Sequence, residues 1–195
     1  MENQEGRAKS KIGEDFNRPR TVPFRNPMYM HQYSVPEREA VQVFRLPPDA
    51  RGGDTYQVVV DVEATPEQCF DVLTNFDLMQ KSSSVITEIK VHKRDEENVF
   101  ISMKVKPEVD TGVFHYRYCL DRKNTQFAYW MHDYTGDDPI FYAINVETRI
   151  LSFGNISRVI LTETFLLTPE KPYSDNVPLF TGIGQDMLNR IKNNK

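Results

Sequence analysis

Hydrophobic and polar residues alternate along most of the second half of the chain, which is the spacing of β-strands with one buried face. Six segments follow this pattern: VITEIKVHK, VFISMKVK, VFHYRYCLD, FAYWMHDY, FYAINVETRIL and SRVILTETFLL. The connectors between them are mostly short, and none contains a helical segment long enough for a parallel crossover. The pattern predicts a curved, meandering antiparallel sheet.

Two further alternating runs precede this region. They extend from Val41 to Leu46 and from Tyr56 to Val62, with two prolines and two glycines between them. This arrangement predicts a hairpin, or a strand with a leading extension.

The hydrophobic period changes at Thr65. Its hydroxyl can accept from the amide of Gln68, the Gln68 side chain can reach back to Thr65, and Pro66 suits the first helical position. The apolar residues of the predicted helix recur at helical spacing: Cys69, Val72, Leu73 and Phe76. We expect this helix to end at Asn75 and a second, short helix to extend from Phe76 to Lys81.

The chain ends in a segment that returns to helical spacing, NVPLFTGIGQDMLNRIKNNK. Phe180, Ile183, Met187 and Ile191 share one face, and Arg190 is interpreted as one of several cations that complement the helix dipole near its end. The predicted fold is therefore α+β. The C-terminal helix should cover the middle of the sheet and the helices after Thr65 one end, with a cavity between helix and sheet.

This order resembles the START-like, or helix-grip (SRPBCC), superfamily, which includes birch pollen allergen-like proteins, polyketide cyclases and coenzyme Q-binding proteins. The similar stretches are YQVVVDVEATPEQCFDVLTNFDLMQKSSSVITEIKV, the late ETRILSFGNISRVILTETFLLTP and the final amphipathic helix. The resemblance implies a curved antiparallel sheet wrapped around a long C-terminal helix. It also implies binding of a hydrophobic or amphipathic molecule.

The first residues of the chain differ in composition from the rest. Residues 1–39 are rich in charges, Asn and Pro and lack an apolar period, so we predict a flexible extension followed by one helix-grip domain over residues 40–195. Within the extension, VPFRNPMYMHQY carries aromatic and Met side chains between prolines. This segment is predicted to dock on the domain or to bind a protein partner.

Composition excludes some classes of function. A net charge of −4 and the absence of a dominant Lys/Arg cluster argue against nucleic-acid binding. Cys69 and Cys119 lie in segments that we expect to be buried, and two such thiols fit a reducing cytoplasm better than a disulfide framework. No run of the sequence has the length and apolarity of a transmembrane segment or a signal peptide. We therefore expect a cytoplasmic protein.

Aromatic side chains are the best candidates for a ligand site. In VFHYRYCLD the apolar face should point inward, whereas in FAYWMHDY the inward face cannot be decided between the set with Tyr129 and the set with Trp130. The predicted ligand-binding residues are Phe114, Tyr116, Tyr118, Tyr129, Met131, Phe180, Ile183 and Met187. Buried tyrosines place hydroxyl groups among apolar walls, which suits amphipathic ligands, although the same rings could simply fill a core.

Metal or cofactor chemistry finds no support in the sequence. His115 and His132 have no partner at metal-ligand spacing, and GIGQD lacks the spacing of a phosphate-binding loop, although its glycines could bring the chain close to the cavity mouth. Glu147 and Glu163 are candidate buried acids, but we expect both to face outward, as strand glutamates usually do. We predict no cofactor and no metal, and no catalytic residue can be named.

Three functions remain open. The first is binding or transport of a lipid, isoprenoid or polyketide-like molecule. The second is a cyclase or dehydratase that uses the same cavity. The third is a co-chaperone or adaptor that binds another protein and has no cavity of this kind.

Overall fold

The computed structural model describes residues 35–48, 53–137, 139–167 and 176–195. The strands are β1 (Ala40–Leu46), β2 (Asp54–Val62), β3 (Ile86–Arg94), β4 (Asn98–Val105), β5 (Val113–Asp121), β6 (Gln126–Thr135), β7 (Phe141–Phe153) and β8 (Ile156–Leu167). The helices are α1 (Pro66–Leu73), α2 (Phe76–Ser82) and α3 (Val177–Asn194). All six strands predicted after Thr65 are present, with bounds within two residues of those expected.

The strands form one curved antiparallel sheet in the order β1-β2-β8-β7-β6-β5-β4-β3. Strands β3 to β8 follow one another as hairpins, and β1 and β2 pair as the predicted hairpin, with Ala40 opposite Asp61. The β1–β2 hairpin joins the other six strands through the pairing of β2 with β8. Because β2 and β3 are far apart in this order, α1 and α2 carry the chain from one side of the sheet to the other edge.

The start of α1 has the capping box that the sequence predicts. The Thr65 hydroxyl accepts from the Gln68 amide at 3.2 Å, and the Thr65 amide donates to Oε1 of Gln68 at 2.9 Å. Asn75 then caps α2, because its side-chain oxygen accepts from the Leu78 amide at 3.1 Å. Each cap satisfies a backbone donor that the helix itself leaves unpaired.

The concave face of the sheet carries the main core. On β5 the burial alternates strictly, so that the predicted inward set of Phe114, Tyr116, Tyr118 and Leu120 is buried. On β6 the pairing register shifts between His115 and Tyr116, which lie opposite Asp133 and Met131 respectively. This β-bulge at His132 lets residues on both sides of it reach the same face. The inward side chains of β6 are Phe127, Tyr129, Met131 and Tyr134.

Helix α3 packs most closely on β1 and β2, and its other side faces the concave surface of the central strands. Its approach depends on Gly184, since a Cβ at this position would lie 2.5 Å from Cγ1 of Val41 and 2.8 Å from Cγ1 of Val58. Gly184 therefore allows close packing of α3 on β1 and β2, whereas the sequence suggested that the glycines bring the chain close to the cavity mouth.

The convex face of β2 and β8 holds a buried ion pair. Arg158 and Asp61 lie opposite each other in the register, and Nε and Nη2 of Arg158 each donate to an Asp61 oxygen at 2.7 Å. The Glu37 amide donates to the same carboxylate at 2.9 Å. Residues just before β1 thus contact the domain, at the end of the extension predicted over residues 1–39. The segment VPFRNPMYMHQY lies outside the described residues, and its docking stays a prediction.

Candidate functional site: a cavity between helix α3 and the sheet

A cavity of about 200 Å³ lies between α3, the two short helices and the concave face of the sheet. Its floor comes from β5, β6 and β8, and its roof from one side of α3. It is lined by Leu73, Met79, Ser82, Ser83, Ile86, Met103, Tyr116, Tyr118, Phe127, Tyr129, Leu161, Glu163, Ile183, Asp186, Met187 and Arg190. Most of these side chains are apolar or aromatic, and the polar ones are few, as in small-molecule sites.

Five of the eight predicted ligand-binding residues surround this space: Tyr116, Tyr118, Tyr129, Ile183 and Met187. Three others are buried beside it without lining it. Phe180 lies one helical turn before Ile183 and therefore beyond the cavity. Its ring stacks on Tyr56, with ring centroids 4.5 Å apart. Phe114 packs edge-on against Tyr134, and Met131 lies opposite Tyr116 in the core.

The cavity floor is a cluster of tyrosine rings. Tyr118 lies opposite Tyr129 in the strand register, and the two rings stack with centroids 4.4 Å apart. Tyr116 meets Tyr129 edge-on at 5.7 Å, and Phe76 of α2 meets Tyr118 edge-on at 4.9 Å. These contacts fix the rings, so their hydroxyl groups are held in set positions within the apolar wall.

The hydroxyl groups of the tyrosines fall into two classes. Tyr134 donates to Asp110 at 2.8 Å, and the Tyr56 oxygen accepts from the Asn176 amide at 3.5 Å. Tyr116, Tyr118 and Tyr129 make no hydrogen bond through their hydroxyls within the described part of the chain. Burial raises the pKa of all three phenols, so they are protonated donors at neutral pH.

Glu163 points into the cavity, and this corrects the prediction that it faces outward. The register explains the result, because Glu163 lies opposite Tyr56 on one side and Val146 on the other, both of which face the core. Desolvation raises the pKa of this carboxyl to about 7. Glu147 is adjacent to Val146 in the chain, so it lies on the opposite, convex face, as expected.

Arg190 of α3 completes the polar part of the cavity. It follows Met187 by three residues and therefore lies on the same side of the helix. Its Nε is buried and has no hydrogen-bond partner among the described residues. Desolvation lowers the pKa of its guanidinium, with Tyr118, Tyr129 and Asp186 among the groups that act on it. Arg190 lies near the end of α3, as expected, and it also lines the cavity.

Other reactive side chains lie away from this site or are inert. Burial raises the pKa of the Cys69 thiol to about 11, and Cys119 is half-buried on another part of the sheet. Nε2 of His115 lies 3.0 Å from the Thr135 hydroxyl on the convex side. In residues 35–48, 53–137, 139–167 and 176–195, no group of His, Cys, Asp and Glu could hold a metal ion.

Sequence reasoning missed Asp186 and Arg190 as cavity residues, and it named Glu163 as a candidate buried acid but expected it to face outward. For Arg190 a signal was available, since Ile183, Met187 and Arg190 follow one another at spacings of four and three residues. A side chain at that spacing shares the face of its neighbours whether or not it is apolar. For Glu163 the signal was the alternation with Leu161 and Phe165, but apolar residues occupy both faces of β8.

The geometry supports binding more directly than catalysis. An apolar space with three fixed phenols, one carboxyl and one guanidinium can hold a molecule that has both an apolar body and a polar group. No helix in the described part of the chain is long and apolar enough to cross a membrane.

Comparison with known proteins supports the fold. No family model and no curated protein matches the sequence. Among solved structures, Ara h 8.0201 aligns with a TM-score of 0.58 and 16% identity over 73% of this chain and 97% of that one. The Zhui aromatase/cyclase from Streptomyces sp. R1128 aligns at 0.52 and 13% identity, over 78% of this chain and 84% of its own.

A START superfamily protein from Mycobacterium smegmatis gives a TM-score of 0.53 and 13% identity over 73% of this chain and 93% of that one. The chain therefore has a START-like helix-grip fold, and the predicted fold class is confirmed. At these identities the likeness concerns the fold.

Proposed function

We propose that this protein binds a hydrophobic or amphipathic small molecule in the cavity between α3 and the sheet. The observation that carries this proposal is the cavity itself, which is apolar in most of its lining and holds polar groups without described protein partners. A core that only stabilised the fold would pack these side chains against one another. The structural neighbours include a polyketide aromatase/cyclase, whose fold provides a comparable helix and sheet.

The volume of the cavity limits the size of the ligand. About 200 Å³ lies below the range of roughly 300–1,000 Å³ that is usual for drug-sized ligands. A compact molecule with one or two rings or a short chain fits better than a long acyl lipid. Of the ligand classes expected from the sequence, the ring-containing ones are favoured.

A blocking substitution tests this function. We expect Ile183→Trp to fill the cavity from α3 and abolish binding of the neutral fluorescent probe naphthalene. Stability should change by less than about 1 kcal/mol, because the new ring enters existing space instead of overpacking a filled core. Leu179→Trp is the matched control, since Leu179 is 51% exposed on the same helix. It should leave probe binding unchanged.

The proposal fails if the parent protein does not bind the probe and Ile183→Trp is strongly destabilised. That outcome would mean that the space is solid core and would favour the adaptor function instead. Native mass spectrometry of the full chain purified from its own host would then show directly whether a small molecule is retained.

A second candidate function is an enzyme that transfers protons within the same cavity. Glu163 is the observation that favours it, because a carboxyl whose pKa is about 7 can both accept and donate a proton near neutral pH. Its neighbours include phenol donors that could stabilise an oxyanion. Glu163→Gln should then abolish turnover of a substrate and leave its binding intact.

A further inference from the structure

The cavity contains a cation, Arg190, that makes no ion pair within the described part of the chain. Arg190 lines the cavity through a side chain that is largely removed from water, and its Nε has no hydrogen-bond partner among the described residues. Two carboxylates, Asp186 and Glu163, line the same space. Asp186 lies one helical turn before Arg190 and acts on it electrostatically, but no salt bridge of Arg190 is present in the described part of the chain. A desolvated guanidinium without an ion pair is unfavourable unless another group supplies the counter-charge.

The polar groups on the wall opposite Arg190 include two hydrogen-bond donors, the hydroxyl groups of Tyr118 and Tyr129. Arg190 acts electrostatically on Tyr118 and Tyr129, so it lies near the stacked pair of phenols on the opposite wall. Their hydroxyl groups are protonated and have no partner in the described part of the chain. Guanidinium and phenol donors that converge from two walls form a site for an oxyanion.

An anion can bind next to Glu163 only when the Glu163 carboxyl is protonated. Glu163 acts on the same two tyrosines, so it borders the same region of the cavity. When protonated, it adds a further donor. When ionised, it repels an anion held by Arg190.

We propose that the ligand of this cavity is a compact, ring-sized acid whose carboxylate is bound by Arg190 together with the hydroxyl groups of Tyr118 and Tyr129. This inference rests on the proposed function, because it assigns a head group to the molecule that the cavity binds. It also makes binding dependent on pH through Glu163. The apolar part of the ligand occupies the space bounded by Leu161, Ile183 and Met187.

A matched pair of probes tests the head group. We expect the full chain to bind 2-naphthoate at least about tenfold more tightly at pH 6 than 2-acetylnaphthalene, a neutral molecule of similar shape. Isothermal titration calorimetry measures both affinities. Arg190→Met should remove the preference for the acid while retaining the neutral probe, and Arg190→Lys should restore part of it.

A pH series provides an independent measurement that does not depend on the folding of an Arg190 variant. Affinity for 2-naphthoate should fall several-fold from pH 6 to pH 8 in the parent protein as Glu163 ionises. In Glu163→Gln this dependence should disappear, while the neutral probe should bind equally at both pH values in both proteins.

The outcomes separate the two proposals. If neither probe binds, the proposed function fails, and the head-group assignment fails with it. If both probes bind equally, the cavity is a binding site and the assignment to an acid is overturned. A preference for the acid that persists in Arg190→Met, with an unchanged thermal midpoint, also overturns it, because the anion must then be bound elsewhere.

Discussion

Two arginines of this fold lie in contrasting environments. Arg158 on β8 is 1% exposed and is held by Asp61, itself 2% exposed, through two hydrogen bonds of 2.7 Å. Arg190 on α3 points into a cavity, and its buried Nε has no partner among the described residues. Arg158 is thus paired with a carboxylate of the protein, whereas Arg190 makes no ion pair in the described part of the chain.

The comparison distinguishes a charge that stabilises the fold from one that we propose binds a ligand. Around Arg158 the polar groups are paired within the fold. Around Arg190 the phenols of Tyr118 and Tyr129 and the carboxyl of Glu163 are all available to a ligand. Polar groups that are buried and unpaired indicate where a protein interacts with something else.

The largest expected effect comes from breaking the neutralised pair. Arg158→Met should lower the free energy of unfolding by about 3–5 kcal/mol, because the Asp61 carboxylate stays buried with its counter-charge removed. Arg190→Met should leave stability unchanged or raise it, since it removes a desolvated charge that has no ion pair in the described structure. Urea denaturation of both variants measures the difference. Equal losses in the two variants would contradict the distinction between the two arginines.

The second largest expected effect is the dependence of stability on pH that results from the ionisation of Glu163. The folded protein raises the pKa of this carboxyl from 4.5 to about 7, so between these pH values it binds a proton that the unfolded chain has released. The contribution of Glu163 to stability is therefore fully present below about pH 4.5 and is lost as the pH rises to about 7. We expect a decline of about 1–3 kcal/mol over this range, reduced from the full shift because water can enter the cavity.

Glu163→Gln is the control for this decline, since the amide cannot ionise. The difference between the two proteins should grow from pH 4.5 to 7 and then stay constant. Carboxylates such as Glu88 and Asp121 do not interfere, because their partners lower their pKa values and their contributions are lost at more acidic pH. Parallel curves for the two proteins over the whole range would mean that Glu163 is solvated.

Local patterns predicted much of this structure. The cap at Thr65 depends on residues three apart, and the alternation of β5 depends on a strand with one polar face, so both can be read from short windows. Element order and short connectors then restrict the topology to an antiparallel meander with a terminal helix. The fold class followed from these local signals together with the family resemblance.

The cavity was harder to predict because its details depend on register. The bulge at His132 brings Tyr134 to the same face as Met131, which strict alternation cannot show. On β8 both faces are buried, with Leu161 on the concave side and Ile160 on the other, so hydrophobicity does not reveal where Glu163 points. The position of α3 over the sheet depends on the close approach of Gly184 to Val41 and Val58.

The smallest expected effect compares the two glycines of α3 and tests the packed side of the domain. A methyl group at Gly184 would meet Val41 and Val58, whereas one at Gly182 would have no atom within 4 Å. In Gly184→Ala, overpacking of about 1–3 kcal/mol opposes a gain in helix propensity of about 1, so we expect a net loss of about 1 kcal/mol. Gly182→Ala should gain about 0.5–1 kcal/mol from propensity alone. Urea midpoints give both values, and a gain in both variants would show that α3 can move away from β1 and β2 without cost.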